Sequence, residues 1–158
     1  MSVEENKALV RREQAELWNH TGNLDSAAEH FAPDRVEDAK QEAASVRRGF
    51  PDLESTIEDL IAERDKVVAH WRAQATHQGE YMGIPPSGNR VDFRGISIYR
   101  IEGGKIAESW SVSDLLGHSR GYSAECVERL YEKSSQADQP PQHVATHGSI
   151  YERFPART

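Results

Sequence analysis

The sequence predicts an α+β domain, with helices packed on one face of a curved antiparallel sheet. Three observations carry this. Apolar residues at helical spacing fill most of the first 48 positions, and strand-forming segments run from Val67 to Asp114 with a single loop between them. Within that run, Arg90 to Ile101 and Lys105 to Val112 flank Glu102-Gly103-Gly104, a short glycine connection of hairpin type.

Ser2 and Glu5 stand at capping-box spacing, and Leu9, Val10, Leu17 and Trp18 then share one helical side, so a first helix is expected to about His20. Thr21-Gly22-Asn23 breaks it. Leu24, Ala27, Ala28 and Phe31 give the i, i+3, i+4, i+7 pattern of a short second helix that stops before Pro33. From Asp34 to Arg48 the alanines, Val36 and Val46 predict a third helix, with Gly49 as its C-terminal stop. Leu53 to Glu63 reads as the first strand and Glu63 to Lys66 as its turn. Val67 to Thr76, rich in β-formers and free of breakers, is the second strand. His77 to Asn89 packs three glycines and two prolines into thirteen residues, which is a loop. A glycine bulge at Gly104 would put Ser97, Tyr99, Ser109 and Ser111 on one face of the last hairpin, and Ile98, Arg100, Glu108, Trp110 and Val112 on the other. That register also sets Arg100 beside Glu108 as a cross-strand charge pair. A two-residue turn would reverse the faces.

Beyond Gly117, Ser123 can cap a helix in which Val127, Leu130 and Tyr131 share a side to about Lys133. Residues 134–149 have little to bury and read as a linker. Ile150, Tyr151 and Phe154 then form a small apolar cluster, either a frayed end or a tail that docks. The expected organisation is a domain over residues 1–120 and a helix, linker and tail over 121–158.

Composition narrows the function classes. With 158 residues the chain is the size of one domain, 37% hydrophobic, with a mean hydropathy of -0.74. A net charge of -7 argues against a nucleic-acid surface, and no apolar run reaches membrane-spanning length. The first residues are acidic where a secretory signal would be basic and then apolar, so a cytoplasmic location is expected. The single cysteine, Cys126, fits a reducing compartment and lies in no activating motif. No two of the seven histidines stand at metal-ligand spacing on one helix or strand, His143 and His147 being four apart in a proline-containing linker, and no glycine motif cradles a phosphate, so neither metal nor cofactor is expected.

Phe50-Pro51-Asp52, Thr76-His77 with Gly79, Gly83-Ile84-Pro85-Pro86 with Gly88, Tyr99-Arg100, Gly104-Lys105-Ile106 and Trp110 together resemble the SnoaL-like polyketide cyclase family, within the nuclear transport factor 2-like superfamily. The match spans about Asn6 to Gly117. The resemblance implies a cone: a strongly bent sheet with three helices on its concave side, enclosing a mostly apolar pocket, usually in a homodimer. It also implies a cofactor-free cyclase or isomerase acting by acid–base catalysis on a hydrophobic, oxygenated, polyketide-like metabolite in specialised metabolism. Relatives also include hydroxylases and epoxide-opening enzymes.

In the cyclases this chain resembles, a carboxylate beside the last-strand tryptophan and a histidine on the neighbouring strand move the protons. Those positions align with Ser111 and Ser97, which lack a suitable pKa. Proton transfer therefore falls to other groups. Asp114 at the sheet rim would become a base if desolvated, and His77 at the loop mouth would be a neutral base or a donor to a carbonyl. Tyr99, facing inward, would donate to a developing oxyanion. Ser97, Ser111, Trp71, Tyr81, Met82 and Trp110 are the expected substrate contacts. Two alternatives stand beside this: a non-catalytic small-molecule-binding or scaffolding member of the fold, motivated by the two serines, and an epoxide-opening hydrolase, which would need Asp92, Arg94 and Arg100 to converge inside the cone.

Overall fold

The computed structural model describes residues 2–114. The expected C-terminal helix, linker and tail lie outside the described residues. Helix α1 runs from Val3 to Glu13 behind a reciprocal capping box, in which the Glu5 N–H donates to Ser2 Oγ at 3.2 Å and the Ser2 N–H to Glu5 Oε2 at 2.6 Å. The helix does not stop at Glu13. It widens into a π-helical turn over Gln14–Trp18. The second expected helix is a 3₁₀ turn at Leu24–Ser26 followed by α2 at Ala27–His30, and the third is α3 at Val36–Gly49.

Four strands follow, β1 (Glu54–Glu63), β2 (Lys66–Thr76), β3 (Arg90–Glu102) and β4 (Lys105–Ser113). They form one curved, unclosed antiparallel sheet in sequence order. Along β3 the side chains of Val91, Phe93, Ser97, Tyr99 and Ile101 are buried while the residues alternating with them are exposed or, at Arg100, half-buried, the alternation of a sheet with one covered face. The cover is helical. Leu9, Val10 and Leu17 from the first helix pack with Val67, Ala69 and Ile106 from the strands. A second cluster, built around Phe50, Leu53, Val91 and Phe93, sits where the loop after β2 crosses the end of α3. Among the described residues no helix is long and apolar enough to cross a membrane.

One backbone expectation is corrected. The β3–β4 connection is a two-residue turn, with Gly103 and Gly104 both at positive φ (57° and 79°) between the paired residues Glu102 and Lys105. The expected faces nevertheless hold, because the irregularity lies further along. Arg100 pairs with Glu108 but Ile101 with Ile106, so Ala107 is the extra residue and Ser97 comes opposite Ser111. The neighbouring Ile106 carbonyl accepts from the Ala32 N–H at 2.9 Å, and Ile106 bridges Phe31, which ties the sheet edge to the end of α2. Gly49 is the last residue of α3, as expected, without a left-handed turn. It is required by space: a Cβ there would lie 2.8 Å from that of Tyr81.

Candidate functional site

The described interior is organised by the widened turn of the first helix. In a regular helix, residues four apart stack; the wider π turn instead brings residues five apart together. Trp18 accordingly stands over Glu13, and its indole N–H donates to Glu13 Oε1 at 2.5 Å. The turn is held from outside the helix. The Asn23 N–H donates to the Glu16 carbonyl at 2.7 Å, while the Arg47 guanidinium of α3 reaches the Leu17 carbonyl at 2.5 Å and the Gly22 carbonyl at 2.8 Å. These donors satisfy carbonyls that a helix end would leave unpaired. Gly22 admits this close approach, since a Cβ there would meet the Glu16 oxygen at 2.1 Å.

From the facing sheet, the Tyr99 hydroxyl donates to the other Glu13 oxygen, Oε2, at 3.4 Å. Glu13 has no solvent exposure and Tyr99 only 4%. Burial is the main cause that pushes the Glu13 carboxyl up to about 8, with the two donors opposing it and the Glu42 charge on α3 adding to it. Burial likewise lifts the Tyr99 phenol well above its ordinary range, followed by the Glu13 charge. Beside Tyr99 on the same face, the Trp71 indole N–H donates to Ser97 Oγ at 2.9 Å, and Ser97 and Ser111 hydroxyls meet at 2.8 Å. Ser97 also hydrogen-bonds toward Tyr99. The row runs from open to closed: Ser111 is exposed, Ser97 and Tyr99 are buried, and Glu13 is sealed.

The structure thus brings Tyr99, Ser97, Ser111 and Trp71 together and places the other expected residues elsewhere. His77 is fully buried against the Phe50 ring at 5.3 Å, and its Nδ1 accepts from the Ser87 N–H at 3.2 Å. Its backbone N–H and carbonyl clasp Asn89 and Gly88, so the imidazole organises the loop after β2. Burial pushes its pKa down and a backbone hydrogen bond at Gly79 opposes this. Tyr81 belongs to the same cluster, edge-on to Phe50 at 5.0 Å, with its phenol pushed up to about 12 by burial, and Met82 is half exposed in a positive-φ turn. Asp114 is exposed just past the end of β4, its N–H donating to the Arg94 carbonyl at 2.7 Å. Trp110 points to the outer face, since strand alternation sets it opposite to Ser109 and Ser111.

The groups needed for epoxide opening do not converge inside. Arg72 pairs with Asp92, Arg94 with Glu58, and Arg100 with Glu108 at 2.7 Å, all on the outer face. An open depression of about 530 Å³ lies apart from the interior row, at the start of α1 between Asn6, Arg64 and Gly103. Among the described residues no group of three or more His, Cys, Asp or Glu is placed to hold a metal ion.

The residue that sequence reasoning missed is Glu13. A signal for it existed: Leu9, Glu13 and Leu17 are four apart, so the carboxylate interrupts the apolar side of the first helix. Trp18 as its donor was not legible, because an α-helical spacing pairs Glu13 with Leu17.

Helices covering the concave face of an open antiparallel sheet, with a polar row inside an apolar interior, define a nuclear transport factor 2-like cone. The chain belongs to the SnoaL-like polyketide cyclase family, whose model matches residues 8–121. Among solved structures it is similar to a protein from Jannaschia sp. CCS1 provisionally assigned as a SnoaL-like polyketide cyclase, with 28% identity, a TM-score of 0.71, and coverage of 77% of this chain and 93% of that one. AclR from Streptomyces galilaeus, provisionally assigned as a hydroxylase, is 28% identical over 85% of this chain and 95% of its own, with a TM-score of 0.65. TsrD from Streptomyces laurentii is 25% identical over 78% and 98%, with a TM-score of 0.71. No curated protein sequence matches the chain significantly.

Proposed function

We propose that this chain is a cofactor-free cyclase or isomerase that works by acid–base catalysis on a hydrophobic, oxygenated, polyketide-like metabolite held against the concave face of the sheet. The observation that carries the reading is the hydroxyl row of Tyr99, Ser97 and Ser111 beside the Trp71 indole, set in a helix-covered apolar interior and open at the Ser111 end. Few polar groups converging on an apolar wall are what an oxygenated apolar ligand needs for orientation. Tyr99 is the oxyanion donor in this reading, and family membership supports the reaction class.

Two further parts of the reading concern assembly and location. The outer face carries Ile61, Ile96, Ile98, Trp110 and Val112, each between 38% and 63% exposed, as one apolar band bordered by internally paired charges such as Arg72–Asp92 and Arg100–Glu108. A second copy turned through a two-fold axis offers the same band, which makes a homodimer the fitting partner. A reducing, cytoplasmic setting suits the lone cysteine.

The test is enzyme-dependent exchange of α-protons for solvent deuterium in a panel of hydrophobic enolisable ketones and esters, followed by NMR. Exchange that falls about tenfold or more in Tyr99→Phe is the expected result. Binding of the same compounds with no exchange would refute the enzymatic reading. It would favour a non-catalytic binding protein, for which the two serines in place of a base already argue.

A further inference from the structure

The open depression at the start of α1 has polar groups that its own surroundings leave unmatched. Asn6 lines it and is only 3% exposed, and its Nδ2 donates to the Arg64 carbonyl at 3.0 Å. That carbonyl can only accept, so the contact fixes which end of the amide is the oxygen. Oδ1 is thereby turned away from Arg64, and it has no hydrogen-bond partner among the described residues. A buried carbonyl without a donor is disfavoured, and a donor brought from outside completes it. Arg64 and Asp65, the two residues of the β1–β2 turn, put one charge of each sign on the same lining, and neither makes an ion pair among the described residues. Val3 and Ile101 supply an apolar part, and the rim is open at Gly103, where an added Cβ would meet nothing within 4 Å. The positive end of α1, a helix of 11 residues, borders the same space; Glu4 and Glu5 of its first turn are already engaged, by Lys7 and by Ser2.

We propose that this depression binds an apolar α-amino acid as its zwitterion. The ammonium donates to Asn6 Oδ1 while Asp65 balances its charge, and the carboxylate meets Arg64 and the start of α1. The ligand's side chain lies on Val3 and Ile101. Each unmatched feature is used once. A plain amine leaves Arg64 and the helix start without a counter-ion, and a plain carboxylate leaves the Asn6 carbonyl without a donor. The bound molecule touches three segments at once, the start of α1 and the two hairpin turns, and so ties them together. The site shares no residue with the row of Tyr99, Ser97 and Ser111, and it stands whether or not the acid–base reading of that row holds.

The experiment titrates the full chain at neutral pH with three probes built on one carbon chain: norvaline, n-butylammonium, which lacks its carboxylate, and pentanoate, which lacks its ammonium. Heteronuclear NMR follows the backbone amides of Gly103 and Gly104 and the side-chain amide of Asn6. The proteins are the wild type, Asn6→Leu, Asp65→Asn and Arg64→Gln, each first checked for native circular dichroism. The side chains of Arg64 and Asp65 are exposed, so these two variants carry the test if Asn6→Leu does not fold. The expected result is that norvaline shifts the wild-type signals saturably and binds about tenfold or more tighter than either fragment. Asn6→Leu weakens norvaline about tenfold or more, Arg64→Gln removes its advantage over n-butylammonium, and Asp65→Asn removes its advantage over pentanoate. Three results overturn the proposal: no saturable shift with norvaline, equal binding of norvaline and either fragment to the wild type, or norvaline affinity unchanged in the folded variants.

Discussion

Replacing Glu13 by Gln should change how folding stability responds to pH. The carboxyl is moved from an ordinary 4.5 to about 8, chiefly by burial. Between these values the folded protein holds a proton that the unfolded chain has released. The stability associated with that proton is therefore fully present below about pH 4.5 and is lost as pH rises to about 8. The slope is about 1.4 kcal/mol per pH unit. Other groups act elsewhere on the scale. His77 has a lowered pKa, so its contribution grows as pH rises to its ordinary 6.5 and is constant above it. Asp52, Asp92 and Glu108 are held below their ordinary values, and their contributions are complete at lower pH still. Among the described residues the window from about pH 6.5 to about 8 thus isolates Glu13, whose contribution should fall by about 2 kcal/mol across it. The glutamine keeps an acceptor for Trp18 and cannot ionise, so its stability should stay level there and exceed that of the wild type at pH 8. Urea unfolding of both proteins at several pH values in this window measures the difference. A slope in Glu13→Gln equal to the wild-type slope, or wild-type stability that rises through the window, would refute the reasoning.

Other expectations follow from single contacts. Arg47→Met should cost about 1–3 kcal/mol, because the Leu17 and Gly22 carbonyls lose their donors, and thermal melting will show no change if those contacts are idle. Gly95→Ala would set a Cβ 2.2 Å from the Trp71 ring and 2.6 Å from the Val112 carbonyl; it should destabilise by about 1–3 kcal/mol and break the Trp71–Ser97 bond, seen as a shift in tryptophan fluorescence. Trp110→Glu should convert a dimer to a monomer in light scattering, and a wild type that is itself monomeric at high concentration removes the outer-face interface.

Much of this architecture is written in local patterns. Ser2 and Glu5 announced the first helix start, and the strand boundaries follow breakers such as Arg64-Asp65 and Gly103-Gly104. The sharing of a face by Ser97, Tyr99 and Ser111 was legible because a sheet has period two. Its true cause was not, since the extra residue at Ala107 depends on Ile106 being drawn to Phe31 and Ala32, a contact made from the far side of the chain. The site was harder. The period of the strand put Tyr99 on the covered face, whereas the burial of His77 and the exposure of Asp114 cannot be read from sequence position. Glu13 stood in an apolar stripe, yet the π turn that pairs it with Trp18 is imposed by Arg47 and Asn23, both distant in sequence or beyond the helix.

The surplus residue in β4 also sets what lengths this strand can tolerate. Loss of Ala107 would remove the kink and still leave Ser111 across from Ser97, because the partners on either side already follow one another without it. Loss of Ser109 is another matter. Every later side chain in the strand would swap sides, carrying Trp110 onto the helix-covered face and Ser111 away from Ser97, so one missing codon two places downstream would turn this wall of the sheet inside out.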